Sequence, residues 1–270
     1  MQAVNRSSIK DIMALAGVNP TKNKGQNFLV DENVIQNIVK LCDFSAHGHV
    51  IEVGPGLGSL TYYLKDKFQN FSIIDIDEHI IYYLKDVLNK DVNIIFEDAL
   101  KYDFKNYEYV VSNIPYNITT ELITHVLLSG DMLKECVFMC QKENYCHFYD
   151  TKGSEYGPSS VLIHLLGDIK KQFDVKPSAF VPSPKCISTV FTIKMTNLYP
   201  KEQVVNAYKL AVKMFNNRRK TILNNLSKEI GREKAINVLE KAEINLLARP
   251  EDISPLLFLK LSNIIIDVNI

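Results

Sequence analysis

The sequence predicts an α/β fold in which a mainly parallel sheet is followed by a small all-α domain. Three observations predict it. Short, β-branched, nearly continuous apolar runs recur at HVIEVG (49–54), FSIIDID (71–77), VNIIFED (92–98), YVVSNI (109–114) and CVFMCQK (136–142). Segments of helical character separate them, as at 59–68 and 78–89. Strands apolar on both faces that alternate with helices belong to a parallel sheet covered on both sides. After Pro200 the pattern changes, and helical spacing fills 202–216, 219–229, 232–242 and 254–264.

Taken in order, the opening stretch MQAVNRSSIKDIMALAGV lacks the apolar core of a signal peptide and reads as a short amphipathic helix. Residues 32–41 place apolar side chains at helical spacing. The five strands and their helices follow, and STVFTIKM (188–195) reads as a late strand at the end of the sheet. Beyond it only the terminal IIIDV has a strand-like composition. Asn197-Leu198-Tyr199-Pro200 is the natural boundary, which divides the chain into domains 1–198 and 199–270. A length of 270 residues suits one large and one small domain.

No apolar run approaches the roughly 18–20 residues of a membrane span, so no membrane partner and a cytoplasmic location are expected. Five cysteines form an odd set without a CxxC pair and read as buried thiols of a reducing compartment. Cys136, Cys140, Cys146 and His147 are too loosely spaced for a zinc site, and no metal is expected. The formal charge is zero, which by itself argues against a nucleic-acid partner. The charge is nevertheless polarised: residues 198–270 carry 12 Lys/Arg against 8 Asp/Glu, and the rest carries 19 against 23. Lys213, Arg218, Arg219 and Lys220 concentrate the basic part, as a nucleic-acid contact or as a solvated helix face.

The stretch Glu52-Val53-Gly54-Pro55-Gly56-Leu57-Gly58 follows the first strand and opens a helix. Glycines there let the backbone turn sharply and approach a ligand closely. Their GxGxG spacing departs from the GxGxxG of phosphate-binding loops. An acid, Glu52, precedes the first glycine by two residues, Asp75 ends the second strand and Asp98 ends the third. An acid at the second position can accept from ribose hydroxyls and one at the third from an adenine amine. Together they describe a pocket for S-adenosylmethionine, with the amides of Gln26 and Asn27 within reach of its methionine part. The plainer reading is that Asp75, Asp77 and Asp98 only cap helices.

Asn113-Ile114-Pro115-Tyr116 closes another buried strand. An amide, a backbone carbonyl fixed by a proline turn and an aromatic ring can grip the exocyclic amine of a flat heterocycle and stack on its ring.

GQNFL (25–29), EVGPGLGSLT (52–61), EDAL (97–100), NIPYN (113–117), MCQKE (139–143), PSAFVPSPK (177–185) and FNNRRKT (215–221) occur in that order, with RPEDIS at 249–254. In these blocks the chain resembles the ribosomal RNA adenine N6-dimethyltransferases, in particular the bacterial small-subunit (16S) branch. The resemblance covers nearly the whole chain. It implies a Rossmann-like S-adenosylmethionine-dependent methyltransferase domain with a seven-stranded sheet and an RNA-contacting helical domain. It also implies dimethylation at N6 of two adjacent adenosines near the 3′ end of 16S rRNA, in a maturing small subunit, by a monomer. Gln26, Asn27, Leu29, Glu52, Gly54, Gly56, Asp75, Ile76, Asp98, Ala99 and Asn113 are the implied donor-binding set. Asn113, Ile114, Pro115 and Tyr116 form the catalytic set, with Phe180 on the other side of the base.

The chain departs from the family pattern at three places. Asp75 stands where glutamate is usual, Asn144-Tyr145-Cys146-His147 replaces small and basic residues, and Pro158 replaces a basic residue. Alternatives are a large-subunit (23S) enzyme of the macrolide-resistance type, a DNA adenine methylase, or a non-catalytic nucleic-acid-binding relative.

Overall fold

A computed structural model describes residues 3–18, 26–88 and 92–267. Gly25 of the GQNFL block, residue 89 of the expected 78–89 helix and Val268 of the terminal apolar run lie outside the described residues. The chain forms two compact units, one of residues up to 142 together with 170–194, the other of 143–169 together with 195–270.

In the first unit, helix α1 (Ile9–Ala16) buries Ile9, Ile12 and Ala16 and ends at Gly17, whose φ of 64° is left-handed. Strand β1 (Phe28–Leu29) leads into α2 (Glu32–Leu41), where Asp31 accepts the Val34 N–H as an N-cap. Next come β2 (His49–Val53), the four-residue α3 (Thr61–Leu64), β3 (Asn70–Asp75), α4 (Glu78–Val87), β4 (Asn93–Phe96), β5 (Tyr109–Asn113), α5 (Thr119–Ser129) and β6 (Glu135–Gln141). The chain continues through α6 (Lys142–Tyr149), α7 (Pro158–Leu166), β7 (Gly167–Val175), β8 (Phe180–Val181) and β9 (Ser188–Met195). It ends with α8 (Lys201–Phe215), α9 (Ile222–Ile230), α10 (Arg232–Lys241) and α11 (Pro255–Asp267).

The main sheet has seven strands in the order β4-β3-β2-β5-β6-β9-β7. Pairings from β4 through β6 are parallel, and β6 pairs antiparallel with β9. The chain runs outward from β2 to β4 and then restarts on the other side of β2 with β5. That reversal opens a crevice at the carboxyl ends of β2 and β5, where open α/β sheets place ligands. Central strands are buried on both faces, as their unbroken apolar runs require.

The edges depart from the sequence pattern. β4 is half exposed despite its apolar run, because it has a neighbour on one side only. β7 lies on the opposite edge, and its sequence GDIKKQFDV has too many charged residues to read as a strand. Single exposed faces tolerate polar side chains, so periodicity is weak there. A second, two-stranded sheet joins β1 to β8, with Leu29 opposite Phe180.

The expected 59–68 helix shrinks to α3 between turns, because its first residues belong to the glycine loop. The terminal IIIDV run is helical as far as Asp267. In the second unit, α7 and α11 pack on α8, and α9 packs on α10. Val161 and Leu165 of α7, Ala207 and Ala211 of α8, and Phe258 and Leu261 of α11 are buried. This unit takes in 143–169, which the boundary at 198/199 assigns to the larger domain.

Candidate active site

Five chain segments converge on the crevice and line a cavity of about 410 Å³, a size that suits a small-molecule ligand. Gln26, Asn27 and Leu29 come from the stretch around β1, and Glu52, Gly54 and Gly56 from β2 and its loop. Asp75 and Ile76 follow β3, Asp98 and Ala99 follow β4, and Asn113, Ile114, Pro115 and Tyr116 follow β5.

Gly54 and Gly56 have φ values of 68° and 53°, a region costly for side chains, and a Cβ on Gly56 would sit 3.1 Å from the Phe28 ring. At Gly56 the loop therefore lies close against β1, where a side chain would have to push the Phe28 ring aside by a few tenths of an ångström. Ser59 Oγ donates to the Leu29 carbonyl (2.6 Å) and closes the same contact.

The carboxylates carry the electrostatics. Glu52 is buried at 2% exposure, and desolvation pushes its pKa up to about 8. The Thr61 hydroxyl opposes that shift by donating to Oε2 at 2.6 Å, whereas the nearby charge of Asp75 adds to it. Burial likewise pushes Asp75 up to about 6, against the Asp77 N–H that donates to its Oδ1. Asp77 caps α4 through the His79 N–H and also accepts from Gln26 Nε2 (2.9 Å). Asp98 accepts the Leu100 N–H in a turn that opens no helix, so it is not a helix cap, and it lines the cavity.

At the rim, Asn113 Nδ2 donates to the Asn27 carbonyl (3.4 Å), which turns the amide oxygen the other way. The Ile114 N–H donates to Met139 O on β6. The Pro115 carbonyl accepts from Ile118 N and closes the turn. Tyr116 is half-buried, and its hydroxyl lies 3.0 Å from Ser188 Oγ.

Residues 18–267 match the family described as ribosomal RNA adenine dimethylase. The chain belongs to this family. Ribosomal RNA small subunit methyltransferase A of Malacoplasma penetrans is 32% identical over 247 residues, covering 89% of this chain and 90% of its own. The protein of the same name from Clostridium botulinum strain Langeland is 36% identical over 261 residues, covering 92% and 94%. Among solved structures, a dimethyladenosine transferase from Plasmodium falciparum superposes with a TM-score of 0.77 at 23% identity, over 90% of this chain and 98% of that one. The 23S rRNA methyltransferase ErmE superposes at 0.67 with 21% identity, over 88% and 99%. Both likenesses concern the fold.

The dimethylase family uses S-adenosylmethionine as methyl donor, and the cavity fits it. Its carboxylates can accept from ribose hydroxyls and amines, and its glycine loop brings backbone close to a ligand. Gln26 Oε1 is buried, has no hydrogen-bond partner among the described residues and lines the cavity, so it stands ready to accept from a ligand.

Two parts of the dimethylase reading change. Phe180 is 1% exposed, pairs with Leu29 and packs inside the hydrophobic core rather than lining the cavity. It has no free face for a base, because the β1–β8 pairing turns it inward. The basic residues also divide. Arg218, Arg219 and Lys220 lie in the turn between α8 and α9, not in a helix, because Thr221 caps α9 at the Asn224 N–H. Arg218 is committed to Glu251 and the Gly153 carbonyl, and Lys213 to Glu229. Arg219 and Lys220 are exposed, and the ammonium of Lys228 beside Lys220 pulls the latter's pKa down.

Thr61, Asp77 and Ser188 are site residues that sequence reasoning did not assign to it. Thr61 carried a signal, a hydroxyl at the start of the helix after the glycine loop. Ser188 carried none, since it lies 72 residues from Tyr116.

Proposed function

We propose that this protein transfers methyl groups from S-adenosylmethionine to N6 of two adjacent adenosines near the 3′ end of 16S rRNA, giving N6-dimethyladenosine in the maturing small ribosomal subunit. The observation that carries it is Asn113-Ile114-Pro115-Tyr116 on the rim of the cavity that holds the strand-ending acids.

Glu52, Asp75, Asp98 and Gln26, with the backbone of Gly54 and Gly56, hold the donor, and Leu29, Ile76 and Ala99 pack beside it. Asn27 and Asn113 close the donor site on the acceptor side. Bound S-adenosylmethionine supplies an electrophilic methyl group on a sulfonium sulfur. The adenine amine is a poor nucleophile, because its lone pair is delocalised into the ring. The Asn113 side-chain oxygen and the Ile114 carbonyl accept its N–H bonds, localise the lone pair and aim it. Pro115 fixes the turn that presents this carbonyl. Tyr116 stacks on the base, which has left its own stack to enter the site, and such stacking contributes about 1–3 kcal/mol. No side-chain base is needed, since the amine proton leaves to solvent. Catalysis is positioning and electrostatics.

Arg219 and Lys220 contact RNA phosphates through the helical unit, a reading supported by their exposure and by the crowded positive charge of Lys220 and Lys228. The protein acts as a cytoplasmic monomer. Among the described residues no helix is long and apolar enough to cross a membrane.

The test is methyl transfer to immature small subunits, with products mapped by primer extension on both ribosomal RNAs. Dimethyladenosine in 16S rRNA that disappears with Asn113→Ala and Tyr116→Ala is expected. Products in 23S rRNA, or undiminished turnover by both variants, would overturn the proposal.

A further inference from the structure

Tyr116 is anchored at its backbone end by the Ile114 and Ile118 hydrogen bonds on either side of it. Its ring could still rotate about two side-chain torsions. The far end of the ring meets Ser188, the first residue of β9, at 3.0 Å between hydroxyls. Ser188 is fully buried, and its backbone pairs with Gln141 at the end of β6. The sheet explains its location. Asn113 at the end of β5 pairs with Met139, so Gln141 lies two residues farther along toward the ligand rim. Because β9 runs antiparallel, its first residue arrives at the rim where the parallel strands end.

We propose that Ser188 is a positioning residue for methyl transfer, whose hydroxyl holds the Tyr116 ring at the orientation that stacks on the acceptor base. The inference rests on the reading of Tyr116 as the base platform. It accounts for tyrosine rather than phenylalanine at position 116, since stacking area alone does not need the hydroxyl. Burial pushes the Tyr116 phenol pKa up; the Ser188 hydrogen bond opposes that shift, and Cys186 and Cys140 add smaller upward contributions. The phenol keeps its proton and can donate to Ser188. A ring fixed at both ends meets the base without first losing torsional freedom, so the gain falls on the acceptor and not on the donor.

The experiment compares Ser188→Ala, Ser188→Thr, Tyr116→Phe, the double variant Ser188→Ala/Tyr116→Phe, and Tyr116→Ala. Each is assayed for kcat and KM with small subunits as acceptor, and for S-adenosylhomocysteine affinity by calorimetry, which also reports an intact fold. Ser188→Ala and Tyr116→Phe are each expected to lower kcat/KM for the acceptor about 3–10-fold, the range of one net hydrogen bond. The double variant is expected to be no worse than either single one. Affinity for S-adenosylhomocysteine should hold, and Ser188→Thr, which keeps a hydroxyl, should recover part of the loss. Wild-type kcat/KM for Ser188→Ala beside an inactive Tyr116→Ala would overturn the role of Ser188 alone. So would additive losses in the double variant, or a parallel fall in S-adenosylhomocysteine affinity. Wild-type turnover by Tyr116→Ala would instead overturn the platform reading itself.

Discussion

Glu52 shows how the site stores electrostatic cost at a single residue. Its pKa in the fold is about 8, against 4.5 for an ordinary glutamate. Between those values the folded state binds the proton that the unfolded state releases, so stability falls as pH rises through that window. Asp75 acts in the same direction between 3.8 and about 6. Thermal unfolding of the ligand-free protein should therefore show a midpoint that declines from pH 5 to 8, with Glu52→Gln giving a flatter profile. An unchanged profile would mean that Glu52 is ionised and solvated in the fold. At the rim the effect is kinetic. Asn113→Ala removes a preorganised acceptor and should lower kcat about 10²-fold. Calorimetry should find a smaller loss in donor affinity than in kcat, because Asn113 also closes the donor site. The chemistry of both residues was readable in the sequence, because an acid before a glycine loop and an amide after a buried strand are local signals. The Thr61 hydroxyl that steadies Glu52 and the Ser188 hydroxyl that meets Tyr116 were not assigned, because their roles are defined only by the partners they meet in space.

Elements differ in how far their pattern betrays them. β2, β5 and β6 are buried on both faces and announce themselves as apolar runs, whereas β7 mixes buried and exposed positions and stays hidden. The 216–220 turn also escaped the periodic reading, because a basic run between two helices keeps helical composition until Thr221 caps the second. Its three cations then have different duties. Arg218→Ala removes the tie to Glu251 and Gly153 and should cost about 1 kcal/mol of stability, discounted for partial exposure. Its mark would be a lowered denaturation midpoint. Arg219→Ala and Lys220→Ala should leave the midpoint alone and weaken RNA binding at low salt. Each should reduce the slope of log affinity against log salt by about 0.7–0.9, one phosphate contact. RNA affinity unmoved in both variants would place the contact elsewhere on the helical unit.

For the whole molecule, the consequential fact is that its two units interleave in sequence. Because 143–169 joins 195–270, a fragment ending at 198 keeps α7 but loses α8 and α11, which cover it. Val161, Leu162 and Leu165 are buried in the full chain. The 1–198 fragment should expose such side chains, bind a hydrophobic dye and aggregate, even though every strand of the main sheet is present. A soluble, monomeric fragment with native donor affinity would show that α6 and α7 can be covered without the later helices. The sequence by itself determined the α/β class, the seven-stranded sheet that the family resemblance implied, and the chemistry at the strand ends. The class and the strand-end chemistry rest on local composition: burial on two faces selects apolar β-branched residues, and a ligand at a strand end calls for glycines, acids and an amide. The count of seven rests on the resemblance, since the composition of β7 hides it. Only the tertiary structure decided which strands are edges, that Phe180 turns into the core, that Arg218 is tied to Glu251, and that Ser188 stands behind Tyr116. Those facts depend on pairings between residues far apart in the chain, and packing alone selects such partners.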